Sequence, residues 1–237
     1  MKVAEMFVSL QGEGPYAGAV TVFVRFAGCN RVCRYCDTAR WRSTRGAREM
    51  PVREVAARAR EMVERSGAEF IALTGGEPTL QPGFACLVGL LHSGGARVYV
   101  ETNASRPSRL EAACRTGGVG VVAVNLKLPS DDRYGRDTVA GALRCGRIAA
   151  RYRVEWFLKV VVTRLSVDSR SVALLRRVVR GSGVQTLVLQ PETLRGAGVR
   201  QRRDVFIATT RLLREVRPEV RCIMVVPQLH RTVARLR

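Results

Sequence analysis

Phe70-Ile71-Ala72-Leu73-Thr74-Gly75-Gly76-Glu77-Pro78 runs from four apolar residues into a hydroxyl, two glycines and an acid, and stops at a proline. The apolar run has the length of a buried strand. The glycines permit close backbone approach, and the strand edge beyond them can hydrogen-bond an ammonium group; as a bare tetrapeptide, Gly75–Pro78 is equally a tight turn. Outward from this point the same pattern repeats. Strands are expected at Met1–Ser9, Val20–Phe26, Phe70–Thr74, Arg97–Thr102, Val121–Lys127, Val154–Thr163, Thr186–Gln190 and Val220–Val226. Val52, Val55, Ala56, Ala59, Met62 and Val63 recur at helical spacing and predict a helix over about 52–65, with further helices near 83–93, 107–116, 136–151, 169–180 and 200–216. Strand–helix alternation implies a parallel sheet with right-handed crossovers.

Polar residues fall at the strand ends. Arg25, Thr74 to Glu77, Glu101 to Asn103, Lys127 and Gln190 each lie at or near the carboxyl end of an apolar run, and Gln228 follows the last one. Strands need polar exits in any case, but repeated Glu, Arg and Lys there exceed what turns require. In a barrel of parallel strands these ends share one mouth, where active sites are built. About six βα units predict an α/β fold, an open, partial (β/α) barrel and not a closed eight-stranded one, with residues 1–237 forming a single domain.

Composition narrows the setting. The chain has 237 residues and a formal net charge of +20. Lysine occurs only at positions 2, 127 and 159 among 40 basic residues, so the charge is carried by arginine scattered over most predicted helices. This reads as compositional bias, compatible with non-specific, salt-sensitive contact with nucleic acid and with attraction of an acidic electron-transfer partner or an anionic substrate. No apolar run reaches the roughly 18 residues of a membrane span. The opening Met1-Lys2-Val3-Ala4-Glu5 reads directly into a strand, and the seven cysteines are odd in number with three clustered, so a reduced, cytoplasmic protein is expected. Cys86, Cys114, Cys145 and Cys222 stand singly in apolar contexts and read as small core residues.

The clustered three, Cys29, Cys33 and Cys36, form C-x-x-x-C-x-x-C. A structural zinc site wants four closed ligands, and no second Cys or His pair stands at suitable spacing; His92 and His230 are far along the chain. Three thiolates on a four-iron, four-sulfur cube leave one iron without a protein ligand, where chemistry can occur. The spacing is that of the radical S-adenosylmethionine (SAM) superfamily. The run Glu5–Gly14 with its Gln11-Gly12-Glu13-Gly14, the stretch Val22–Asn30, and Cys36-Asp37-Thr38 together resemble the 7-carboxy-7-deazaguanine synthase family. Thr74–Pro78, Glu101–Asn103, Gln190-Pro191 and Pro227–His230 extend that resemblance along the chain.

The resemblance implies an open TIM-like barrel of the radical SAM type in which Cys29, Cys33 and Cys36 hold a 4Fe-4S cluster and are catalytic. It implies a SAM site built from Tyr35, Cys36, Asp37, Gly75, Gly76, Glu77, Glu101, Asn103, Lys127 and Gln190. Thr38 is similar to a Mg2+ ligand, and Leu10, Gln11, Gly12, Glu13, Arg25, Thr74 and His230 to substrate-binding residues. The implied reaction is ring contraction of 6-carboxy-5,6,7,8-tetrahydropterin with loss of ammonia, serving queuosine or archaeosine, with a flavodoxin or ferredoxin-like reductant and a homodimer. From the residues themselves, Arg25 in mid-strand needs a carboxylate partner, either Glu13 or the substrate. A lysine at 127 in an arginine-using chain marks a point charge on a flexible stem. The chain departs from the family pattern at Asn125-Leu126-Lys127, where Ser-Pro-Lys is usual, and at Ala104, where Gly is usual. Two other readings stand beside this one: a glycyl-radical-enzyme activase, and an RNA-binding protein with a structural cluster.

Overall fold

The structure is a computed structural model that describes residues 1–92, 95, 97–130, 136–193 and 198–228. Among these, nine strands form one sheet: β1 (Lys2–Leu10), β2 (Val20–Phe26), β3 (Arg48–Glu49), β4 (Phe70–Gly75), β5 (Arg97–Thr102), β6 (Val119–Leu126), β7 (Glu155–Val162), β8 (Thr186–Pro191) and β9 (Cys222–Val225). Their order is β3-β1-β2-β4-β5-β6-β7-β8-β9. Each neighbouring pair from β2 to β9 is parallel. Helices α1 (Val52–Ser66), α2 (Phe84–His92), α3 (Pro107–Cys114), α4 (Arg136–Arg151), α5 (Ser169–Ser182) and α6 (Val199–Val216) supply the crossovers. The sheet is wound but not closed, as an open, partial (β/α) barrel.

The first strand departs from the parallel expectation. β1 and β2 are antiparallel, with Glu5 opposite Arg25 and Leu10 opposite Val20. Residues 11–19 are too few for a helical crossover, which takes a dozen or more. They turn back instead, with Gln11 N–H donating to Ala19 O (2.7 Å) and Gly18 N–H to Gln11 O (2.8 Å). β3, a two-residue exposed strand on β1, has no periodicity that sequence could reveal.

The helices form where sequence places their ends. α1 buries Val55, Ala56 and Ala59 and stops at Gly67, whose φ of 65° supplies the left-handed cap. Asp168 caps α5 by accepting from Ser171 N–H at 3.0 Å, and Gly183 ends it at φ 69°. The helices cover the outer face of the sheet, where Val22, Val24, Ile71, Leu73, Val98, Val100, Val122, Val124, Leu158 and Leu187 are buried. Period-two alternation sends the intervening residues inward: Phe23, Phe70, Ala72, Tyr99, Val121, Ala123, Phe157 and Val188 form a separate inner cluster. Two positions further along their strands stand Arg25, Thr74, Glu101, Asn125, Lys159 and Gln190. The inner face therefore has an apolar floor and a polar rim. Cys114 and Cys145 are buried as expected, but Cys86 and Cys222 are exposed, one on the solvent side of α2 and the other on the edge strand.

Ala104, just past β5, has φ 60°, in the left-handed region that favours glycine. That conformation costs a non-glycine residue about 1–2 kcal/mol, against about 0.8 kcal/mol for burying its methyl group. Ala104→Gly is therefore expected to raise unfolding free energy by up to about 1 kcal/mol in urea titration. A loss of stability would mean that the methyl's packing outweighs the strain.

Candidate active site

The carboxyl ends of the strands, the β1–β2 turn and the loop after β2 enclose one cavity. The loop is pinned at its root. Gly76 N–H donates to Phe26 O and Glu77 N–H to Gly28 O, both at 2.8 Å, while Gly28 and Cys29 N–H donate to Trp41 and Arg42 carbonyls at 2.9 Å. This is where the two glycines act: a Cβ on Gly76 would lie 2.1 Å from Gly28 O, and one on Gly75 would lie 2.2 Å from Phe26 O. Their close approach is to the cysteine loop itself, and both still line the cavity.

Cys29, Cys33 and Cys36 all line the cavity and are partly buried. Burial pushes the Cys29 thiol up. Asn103 Nδ2 lies 3.8 Å from Cys29 Sγ, and Thr38 Oγ1 is 3.8 Å from Cys36 Sγ. Among the described residues no three His, Cys, Asp or Glu side chains gather on a point fit for one metal ion, whereas a four-iron cube takes each thiolate at a different corner. Lys127 Nζ stands 5.4 Å from the Tyr35 ring centroid, a cation–π contact on the cavity wall.

Glu77 is almost wholly buried. Its Oε1 accepts from Thr79 N–H (3.1 Å), Thr79 Oγ1 (2.5 Å) and Thr102 Oγ1 (2.8 Å), and its Oε2 from Asn103 N–H (2.7 Å). Burial pushes its carboxyl up, and these donors pull it back. Glu77 thus organises the start of the β5–α3 loop while Oε2 retains acceptor capacity toward the cavity. Thr74 Oγ1 donates to Glu101 Oε2 at 2.8 Å, joining two rim residues of adjacent strands.

A second network in the cavity centres on Glu13. Its carboxylate pairs with Lys159 Nζ and accepts from Gln190 Nε2 (3.1 Å) and Gln228 Nε2 (2.9 Å). Gln228 Nε2 also stands 3.5 Å from Asp37 Oδ2. Burial opposes the charge on Glu13, but Lys159 and the donated hydrogen bonds hold its carboxyl below the usual range; burial likewise opposes the charge on Lys159, and Glu13 holds that ammonium up. Glu13 N–H is held by Gln11 Oε1 at 3.2 Å.

The expected residues from Leu10 to Gln190 all line this cavity, whereas His230 lies outside the described residues. One expectation is corrected. Within the chain, the carboxylate partner of Arg25 is not Glu13 but Glu5, at 2.7 Å, with the guanidinium also 5.6 Å from the Phe7 ring centroid. The hairpin register sets Glu5 opposite Arg25 and leaves Glu13 to Lys159. Lys159 and Arg31 are cavity residues that sequence reading missed. The rarity of lysine that singled out Lys127 marks Lys159 equally, but it sits inside an apolar run that reads as core. Asn125, at the departing Asn-Leu-Lys, also faces the cavity, and the chain still brings Lys127 there without the proline.

Two buried amide oxygens on this wall, Asn125 Oδ1 and Gln190 Oε1, have no donor among the described residues. Three thiols, unpartnered amide acceptors and a charged network line the same cavity and suit an inorganic centre with a polar organic ligand beside it.

Comparison with known proteins bears on which molecules these are. The Radical SAM superfamily profile matches residues 23–168. A 7-carboxy-7-deazaguanine synthase of Methanopyrus kandleri is 35% identical over 213 residues, covering 81% of this chain and 81% of that protein. The chain belongs to the 7-carboxy-7-deazaguanine synthase family. A second family member, from Clostridium acetobutylicum, is 44% identical over 108 residues, 44% of this chain and 46% of its own. The crystal structure of QueE from Escherichia coli shares the fold, with a TM-score of 0.62 at 19% identity over 97% of this chain and 94% of that one. Membership of the 7-carboxy-7-deazaguanine synthase family makes this a radical SAM enzyme of deazapurine biosynthesis, a carbon–nitrogen lyase, and implies a 4Fe-4S cluster and SAM. No helix among the described residues is long and apolar enough to cross a membrane.

Proposed function

We propose that this cavity converts 6-carboxy-5,6,7,8-tetrahydropterin to 7-carboxy-7-deazaguanine with loss of ammonia. The observation that carries this reading is the meeting of the cysteine loop, the Gln11–Glu13 turn and the polar strand ends in one cavity. In this reading Cys29, Cys33 and Cys36 hold the cluster, with Asn103 directing an amide N–H at the first sulfur. When bound and reduced, the cluster with SAM supplies a 5′-deoxyadenosyl radical, the abstractor of a substrate hydrogen.

The chain's own residues bind and orient. Tyr35, Asp37, Gly75, Gly76, Glu77, Glu101, Asn103 and Lys127 form the SAM side, joined by Asn125, whose buried oxygen suits an N–H or O–H donor. Gln190 spans both sides, since its amide donates to Glu13. The Glu13 carboxylate, held anionic by Lys159, suits the amino and ring N–H donors of a pterin, and Leu10, Gln11, Gly12 and Thr74 complete that end. Arg25 is anchored by Glu5, so its remaining guanidinium N–H groups face the substrate from a fixed position. Thr38 contributes one hydroxyl to Mg2+, the remaining ligands being water and the substrate carboxylate. The enzyme works as a single-domain subunit of a cytoplasmic homodimer fed by a flavodoxin or ferredoxin-like reductant, with His230 on the substrate side.

The test is anaerobic. The reconstituted enzyme is given reductant, SAM, Mg2+ and the carboxytetrahydropterin, and products are followed by mass spectrometry. Formation of 7-carboxy-7-deazaguanine without stoichiometric loss of SAM is expected. Release of 5′-deoxyadenosine with the pterin untouched would overturn the substrate and point to a protein-activating role.

A further inference from the structure

The β1–β2 turn does not hang off the end of its hairpin. Leu10 pairs with Val20, and the next residue of β2, Thr21, pairs with Phe70, the first residue of β4. The turn therefore starts level with the amino ends of the parallel strands, whereas the cavity is built at their carboxyl ends. Even so, Gln11, Gly12 and Glu13 line the cavity. From Glu13 the chain descends along the inner face of β7 and meets successive inward positions of that strand. Glu13 pairs with Lys159, a Cβ on Gly14 would lie 2.7 Å from Phe157 Cζ, and Tyr16 Oη donates to Glu155 Oε1. The Tyr16 ring centroid is 4.7 Å from that of Phe70. Arg97 pairs with Glu155 Oε2 at 3.0 Å and lies 5.5 Å from the Tyr16 ring centroid.

We propose that Gly14 and Tyr16 are positioning residues for substrate binding, fastening the turn to β7 so that Glu13 presents its carboxylate at a fixed place in the cavity. The proposal rests on the pterin reading above. Neither residue lines the cavity, so each acts through Glu13. Gly14 has a φ of 71° and leaves room for the Phe157 ring. A side chain there must lift the turn or displace a ring packed in the inner cluster. Pro15 fixes its own φ, so residues 14–16 move as one piece and a shift at Tyr16 reaches Glu13. The Arg97–Glu155 pair is about half exposed and stabilises little by itself. Its effect is to aim the carboxylate that receives the Tyr16 hydroxyl. Lys159 thus fixes where the Glu13 charge sits along β7, while Gly14 and Tyr16 fix how closely the backbone that carries it approaches.

The test is equilibrium binding, measured by anaerobic isothermal titration of the unreduced, cluster-loaded enzyme. SAM is titrated first, and 6-carboxytetrahydropterin is then titrated into the SAM-saturated protein. Gly14→Ala is expected to weaken pterin binding at least about tenfold, the scale of an overpacked contact. Tyr16→Phe, which keeps the ring and loses the hydrogen bond, should weaken it about fivefold. SAM affinity should be unchanged in both. Phe157→Leu added to Gly14→Ala should recover much of the lost pterin affinity, because it clears the space that the methyl needs. Unchanged pterin affinity in both single variants would overturn the proposal. So would equal loss of SAM and pterin affinity, or a loss that follows a lowered Tm and is not recovered by Phe157→Leu; either would report a damaged fold. A wild-type chain that takes up the cluster and SAM but binds no pterin would sink the substrate reading, and this proposal with it.

Discussion

Cys33→Ala is expected to yield a folded chain with no detectable turnover and no cluster absorbance after reconstitution. Cys33 is a partly exposed loop residue, outside every strand and helix, so the sheet and its helices do not depend on it. With two thiolates left, the cube loses one of three protein-bound corners, and no other cysteine lines the cavity to replace it. Circular dichroism should match wild type while the visible spectrum and iron content collapse. Retained turnover would remove the cluster from the mechanism.

Lys159→Met is expected to lower unfolding free energy by about 3–5 kcal/mol, the usual penalty for stranding one partner of a buried ion pair. Side-chain exposures of 6% for Lys159 and 11% for Glu13 place the pair deep enough for that range. In a chain of this size the loss corresponds to a fall in Tm of about 6–20 °C. Adding Glu13→Gln should recover part of it, and a coupling below ~0.5 kcal/mol would show that the two do not act together. The pH dependence follows from the directions of shift. Glu13 is held below its ordinary value, so its contribution is full above the ordinary carboxylate range and fades as acid protonates it; Lys159 is held above its ordinary value, so its contribution is full below the ordinary ammonium range and fades in base. Wild type should therefore draw on the pair between about pH 4 and pH 10. The difference from the variant should shrink on acidification below about pH 4, and a difference that does not respond to pH would assign the loss to packing.

Much of this arrangement is legible in the chain because it is local. Val20–Phe26 and Arg97–Thr102 end where the apolar, β-branched runs end, and the strands begin and stop at those same residues. The polar rim is legible for the same reason, since period two carries an inward apolar residue to an inward polar one two places later. What could not be read are pairings between distant segments. Arg25 met Glu5 because a nine-residue turn sets the hairpin register, a count that is available in sequence but has no compositional mark. Glu13 met Lys159 and Gln228 across 146 and 215 residues, and nothing near Glu13 in the chain identifies either partner.

The span between Glu13 and Gln228 has a consequence for biosynthesis. A ribosome adding roughly 5–20 residues per second needs about 10–40 s to make the 215 residues that separate them. The cysteine loop and the β4 and β5 ends that brace it are complete long before, within the first half of the chain. During that interval Glu13 has emerged but Lys159 is missing for most of it, and Gln228 for all of it. The three thiols can thus be gathered while Lys159 and Gln228 are still unmade, so the order of synthesis leaves the Glu13 side of the cavity to close last.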